Sequence, residues 1–151
     1  MKLLRAITII LLLFNGIGAL YGGWKLITDP SGTSLGLSLD FLEHSPFRNY
    51  LFPGITLFCL NGLLSLFICY SVIAKKKYYP FLVLMQGLLL TGWIVIQLLM
   101  LQFVFFLHFV MGGTGLVLIL LGIGLFIERK RSAANSSKTI LYPKAHEKLS
   151  T

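Results

Sequence analysis

Between Pro80 and Ile127 the chain runs for 48 residues without a single Asp, Glu, Lys or Arg. As one helix this stretch would measure about 72 Å, more than twice the ~30 Å hydrocarbon core of a bilayer. It is therefore read as two apolar helices joined by a tight hairpin. Counting inward from both ends at about 22 residues per crossing places them at 79–100 and 106–127, with the turn near Leu101–Phe105. A break at Gly112–Gly113 would leave pieces of about 32 and 15 residues, and the shorter could not span.

Two more uncharged runs, Ala6–Trp24 and Phe52–Ala74, are also long enough to cross hydrocarbon as helices. They give expected spans at 6–24 and 50–73, with Pro53 in a first turn where its missing N–H costs little. The whole chain is 56% hydrophobic and only 12% charged, against about 25% charged in an ordinary soluble domain. The expected fold class is all-α: an integral membrane four-helix bundle over 1–127, then a basic tail, 128–151. Clusters of Ser and Asn predict disorder for that tail. Lys2 and Arg5 ahead of an apolar run also resemble a secretory signal. The run exceeds the usual apolar core of a signal and ends in Tyr21-Gly22-Gly23-Trp24, without a clear small-x-small site, so it is expected to be retained.

The net charge of +8 is bunched in a way that argues against nucleic acid. Of the 13 basic residues, Lys2 and Arg5 precede the first span, Lys75, Lys76 and Lys77 lie between the second and third, and six follow the fourth. Only Lys25 and Arg48 flank or enter the loop at 27–49. Basic residues collect on the cytoplasmic side, so both termini are expected inside and the 27–49 loop outside. The expected partner of Arg129, Lys130, Arg131 and Lys75–Lys77 is the anionic inner leaflet.

Within the outer loop, Asp29-Pro30-Ser31-Gly32 has the composition of a tight turn. Ser38 is placed to cap a short interfacial helix, Leu39–His44, ended by Ser45-Pro46. On that helix Asp40 and His44 would be one turn apart with Glu43 adjacent, a group able to bind a metal but also simply a solvated face.

Few polar residues fall inside the spans. Asn15 and Asn61 both lie near mid-span, about 14–16 Å in, which predicts a hydrogen bond between spans one and two. They sit in matching Asn-Gly-x-x-small-Leu segments, a faint sign of duplication. Gln86, Trp93 and Gln97 are spaced seven and four apart, hence on one helical face. That stripe either locks the bundle, lines a small cavity or contacts a lipid headgroup. His108 sits near the outer end of span four and is read first as a packed neutral histidine. Small residues at Gly18 and Gly22, at Ala19 and Gly23, and along span four (Gly112, Gly113, Gly115, Gly122, Gly124) suit close helix approach, within the monomer or in a homo-oligomer. Cys59 and Cys69 are ten residues apart on one span, about 15 Å along a helix, and cannot pair.

No charged residue lies in a membrane core, and no phosphate loop, metalloprotease helix or nucleophile elbow is present. Enzymatic activity and a cofactor thus have no positive support. The run Asp29-Pro30-Ser31-Gly32, Leu35-Gly36, Ser45-Pro46-Phe47, Tyr50-Leu51 and Pro53-Gly54, continuing to Asn61-Gly62, resembles a family of small four-helix membrane proteins of bacteria. The resemblance covers about Gly16–Gly124 and supports the four-span topology; it brings no known activity and no catalytic residue, and the expected location is the inner membrane. The expected role is a non-enzymatic accessory or interaction subunit, with a membrane-protein partner or a second copy. The alternatives are a small oligomeric transporter or channel using the Gln86–Trp93–Gln97 face, and an outer-surface metal-dependent or lipid-modifying enzyme using Asp40, Glu43 and His44.

Overall fold

The protein is described by a computed structural model covering residues 2–43, 45–101 and 106–141. Four long helices carry the chain: α1 (Lys2–Thr28), α2 (Leu51–Ile73), α3 (Tyr79–Leu101) and α4 (Phe106–Leu141). All four are long and apolar enough to cross a membrane, with mean hydropathy of 2.0 to 2.4 over their best windows. Only 28% to 33% of those windows is buried inside the protein, so most of the apolar surface points outward. Leu99 is 72% exposed, Phe109 71% and Leu120 68%. A surface this continuously apolar suits lipid and not water.

The expected boundaries match within a few residues for α2 and α3, while α1 and α4 run beyond theirs. The hairpin expected at Leu101–Phe105 falls between the end of α3 and the start of α4, and 102–105 lie outside the described residues. The tail differs from the sequence reading. Instead of ending at 127, α4 continues to Leu141, overturning the expected disorder over 128–141. Glu128, Lys130, Arg131, Ala133 and Ala134 are good helix formers, and no Gly or Pro interrupts the chain from Leu125 until Pro143. Residues 142–151 lie outside the described residues.

Glycine sets the closeness of the helix pairs. Between α1 and α2, a Cβ on Gly23 would lie 2.7 Å from the backbone nitrogen of Phe58, and one on Gly62 would lie 2.7 Å from Leu20 Cδ2. Between α3 and α4, a Cβ on Gly87 would lie 2.6 Å from Ile119 N, and one on Gly122 would lie 2.7 Å from Leu84 N. Such contacts let backbones meet closely, as suits apolar helices that associate by dispersion. Ala19 and Gly23 are therefore used inside the molecule, whereas Gly18 faces open space. Leu12, Ile68, Val72, Val83, Leu118 and Leu125 fill the centre, and Cys69 is buried there while Cys59 is exposed.

At the basic end, α2 closes with the two crossed bonds of a Schellman cap, Lys76 N–H to Ser71 O (3.0 Å) and Lys75 N–H to Val72 O (3.3 Å). This puts Lys75 in the left-handed region at φ 51° without the help of glycine. Arg5 adds a guanidinium bond to Val72 O (2.8 Å), meeting the negative end of α2. The Arg5 and Arg129 guanidinium groups each lie near the Tyr79 ring, at 6.0 and 5.8 Å, and Arg129 also donates to Lys77 O.

At the other end the α1–α2 loop folds onto Leu26, Leu42 and Tyr50. The expected turn forms, with Gly32 N–H on Asp29 O (3.0 Å). Ser38 caps as expected, accepting from Asp40 N (3.2 Å). The interfacial helix is shorter than expected: one 3₁₀ turn, Leu39–Leu42. Tyr50 holds the loop down through its hydroxyl on Ser38 O (2.8 Å) and its N–H on Pro30 O (2.9 Å).

Candidate functional site

Asn61 and Gly62 weaken α-helical preference in mid-span, and there α2 widens. Residues Leu57–Leu63 form a π-helical turn, between α-helical Leu51–Thr56 and Leu64–Ile73. A π turn shifts the backbone bonds by one residue and commonly marks a functional position. Here carbonyls of the widened turn take side-chain donors from both neighbouring helices. Asn15 Nδ2, from α1, donates to Asn61 O (3.1 Å) and to Ser65 Oγ (2.7 Å). Gln86 Nε2, from α3, donates to Leu60 O (3.3 Å) and Asn61 Oδ1 (3.4 Å). Asn15, Asn61, Ser65 and Gln86 are all at most 1% exposed. The bond expected between Asn15 and Asn61 is thus present, made to the backbone carbonyl of Asn61.

The expected α3 stripe faces α2 and the underside of the loop. Gln86 is fully buried and joins the cluster just described, although its Oε1 has no donor. Trp93 Nε1 is likewise buried without an acceptor. An indole N–H can only donate, and an orphaned buried donor costs on the order of 1–3 kcal/mol. Trp93 forms part of the wall of two cavities. The larger, about 320 Å³, lies between α2 and α3 beside the π turn and also touches Thr56, Leu60, Asn61, Met85 and Gly92. The smaller, about 40 Å³, lies under the loop and is lined by Gln97, Tyr50, Leu42 and Met100. Sequence reasoning identified the stripe and both asparagines. It missed Ser65, the π turn and the gap, although Asn61-Gly62 in mid-helix was an available sign of local weakness.

The other candidates are placed elsewhere. His108 is buried near the start of α4. Asp40 sits in the 3₁₀ turn, where Ser38 Oγ donates to Oδ2 (2.8 Å), and Glu43 follows it. His44 lies outside the described residues. Among the described residues, no three His, Cys, Asp or Glu side chains come together as a metal site would require. Asp29 is the loop's shifted acid. Its carboxylate accepts from the Ser31 hydroxyl and from Ser34 N–H (2.7 Å), which lowers its pKa to about 2. No family model, curated protein or solved structure matches the chain.

Proposed function

We propose that the chain is a multi-pass protein of a bacterial-type inner membrane, with both ends in the cytoplasm, and acts as a non-enzymatic accessory or interaction subunit. It belongs, on this reading, with the small four-helix bacterial membrane proteins it resembles. The carrying observation is that the two mid-span amide nitrogens at the helix joints are taken up internally: Asn15 and Gln86 both bind the π turn of α2. Polar groups arranged this way join three helices, whereas a conduction path needs them free for a solute. Arg129, Lys130, Arg131 and Lys75–Lys77 gather at one end, where an anionic inner leaflet would hold them. The outward apolar faces leave room for a partner membrane protein or a second copy.

The test has two parts. In a background lacking Cys59 and Cys69, a cysteine at Ser34 should label from outside and one at Ser136 only from the cytosol. The reverse pattern sinks the orientation. In purified, reconstituted form the protein should pass no ions or small solutes, and one membrane protein should co-isolate at fixed stoichiometry. The transporter reading has one observation in its favour, the free Oε1 of Gln86, whose amide nitrogen bonds to Asn61, a residue lining the larger cavity. If a flux is found and Gln86→Ala with Gln97→Ala abolishes it while thermal stability in detergent is unchanged, that reading replaces the accessory one.

A further inference from the structure

Three independent features meet at the gap between α2 and α3. The first is that both cavities share Trp93 as a common wall. The second is its buried indole N–H, which has no acceptor. The third is Gly92. A Cβ there would meet nothing within 4 Å, so close packing does not call for glycine at this position. Glycine inside a helix costs about 0.5–1 kcal/mol relative to alanine, and here its consequence is an open groove floor. The groove also opens sideways: Leu60, Leu88 and Ile96 on its walls are 43%, 50% and 48% exposed.

We propose that this groove binds one hydrocarbon chain of a membrane lipid, with an oxygen of the lipid's ester linkage accepting from Trp93 Nε1. The tail runs from Trp93 past Gly92, Leu89 and Met85 toward the π turn. The linkage points into the smaller cavity beneath the loop, beside Gln97. The walls are almost wholly apolar, which suits a tail. The volume of about 320 Å³ has room for roughly ten groups of water size, at about 30 Å³ each. That matches a segment of acyl chain and is too small for a helix about 10 Å across. The orphan donor also suits a lipid, whose ester oxygen can only accept and has no donor of its own in hydrocarbon. Trp93 stands about 21 Å along α3 from Tyr79, some 9 Å short of the far edge of a ~30 Å core. The site therefore draws the ester linkage about 9 Å deeper than that of its bulk neighbours. This inference requires the chain to sit in a bilayer but does not depend on the accessory role.

The test uses the full chain with Trp24→Phe, which leaves Trp93 as its single tryptophan. In phosphatidylcholine vesicles brominated at mid-chain carbons, Trp93 emission should fall at least twofold relative to unbrominated vesicles. Gly92→Leu, which fills the groove, should remove most of that quenching while helicity and monodispersity are kept. In native mass spectrometry, Trp93→Phe should lower the lipid-bound fraction several-fold. Unquenched Trp93 would mean that protein closes the groove, through a partner helix or a second copy, and overturns the proposal. Quenching unaffected by Gly92→Leu, or lipid retention unaffected by Trp93→Phe, overturns it as well. Co-isolation of a partner enters none of these readouts, so the two proposals fail separately.

Discussion

The α1–α2 and α3–α4 pairs are closed by glycine, but the seam between α2 and α3 is held differently. In each closed pair, a glycine Cα faces backbone at a distance that no larger residue tolerates, as Gly23 does with Phe58 and Gly87 with Ile119. Across the seam Ile68 and Val72 share a buried apolar cluster with Val83 and Leu90. The side-chain hydrogen bonds there are two long amide bonds from Gln86, and beside them lies the 320 Å³ gap. The difference separates two ways of assembling helices in a medium as apolar as their side chains: dispersion through close approach, and scattered polar bonds. The first gives rigid hairpins. The second leaves a joint between them, and the unsatisfied atoms Gln86 Oε1 and Trp93 Nε1 sit on the joint's α3 side.

The sharpest way to break this contrast is to add one methyl group on each side of it. Gly87→Ala should destabilise by about 1–3 kcal/mol, because the new Cβ meets backbone atoms at 2.6 and 2.8 Å that cannot swing away. Gly92→Ala, five residues along the same helix, should be neutral or stabilising by up to about 1 kcal/mol. Unfolding by dodecyl sulfate in mixed micelles, followed by circular dichroism, measures both. Equal losses would mean that the seam is packed as tightly as the hairpins.

A second pair ranks the polar contacts. Asn15 donates at 2.7 and 3.1 Å within a glycine-closed hairpin, Gln86 at 3.3 and 3.4 Å across the seam. Interhelical hydrogen bonds in membranes are worth about 0.6 kcal/mol on average and up to about 1.7. Asn15→Leu should therefore cost about 1–2 kcal/mol and Gln86→Leu about 0.6 or less in the same titration. A larger loss from Gln86→Leu would show that amide bonds, and not hairpin packing, hold the seam.

These contrasts also explain what the sequence could reveal. Charge-free length fixed the number of long apolar helices and the gap between α3 and α4, because hydrocarbon thickness admits few other divisions. Helical spacing put Gln86, Trp93 and Gln97 on one face, and mid-span depth brought Asn15 opposite Asn61. Which glycines were structural was not legible: Gly87 and Gly92 look alike in sequence, and only the neighbouring helix distinguishes them. The π turn was hidden because its bonds are satisfied jointly by α1 and α3, far away in the chain. In the tail, polar composition suggested disorder, yet nothing in it stops α4 from propagating to Leu141.

The loop provides the smallest effect and the cleanest control, since it is tied by a charge that the bundle lacks. Between Phe52 and Ile127 there is no carboxylate, so α2, α3 and α4 up to Ile127 carry no acidic side chain of the kind that ties the loop. Asp29 instead holds the turn by accepting from Ser31 and Ser34, and its pKa lies at about 2, below the usual ~3.9. The sign follows from linkage: a depressed folded pKa stabilises the ionised form, fully so above about 4, and the contribution is lost as pH falls toward about 2. In micelles, the Ser34 amide resonance should titrate with a midpoint near 2, and Asp29→Asn should flatten it. Helicity measured in parallel should stay constant from pH 6 to pH 2. A Ser34 midpoint near 4 would show that the carboxylate is not bonded as described. Loss of helicity over the same interval would show that the loop and the glycine-closed hairpins unfold as one unit, erasing the distinction between a charge-tied cap and a packed bundle.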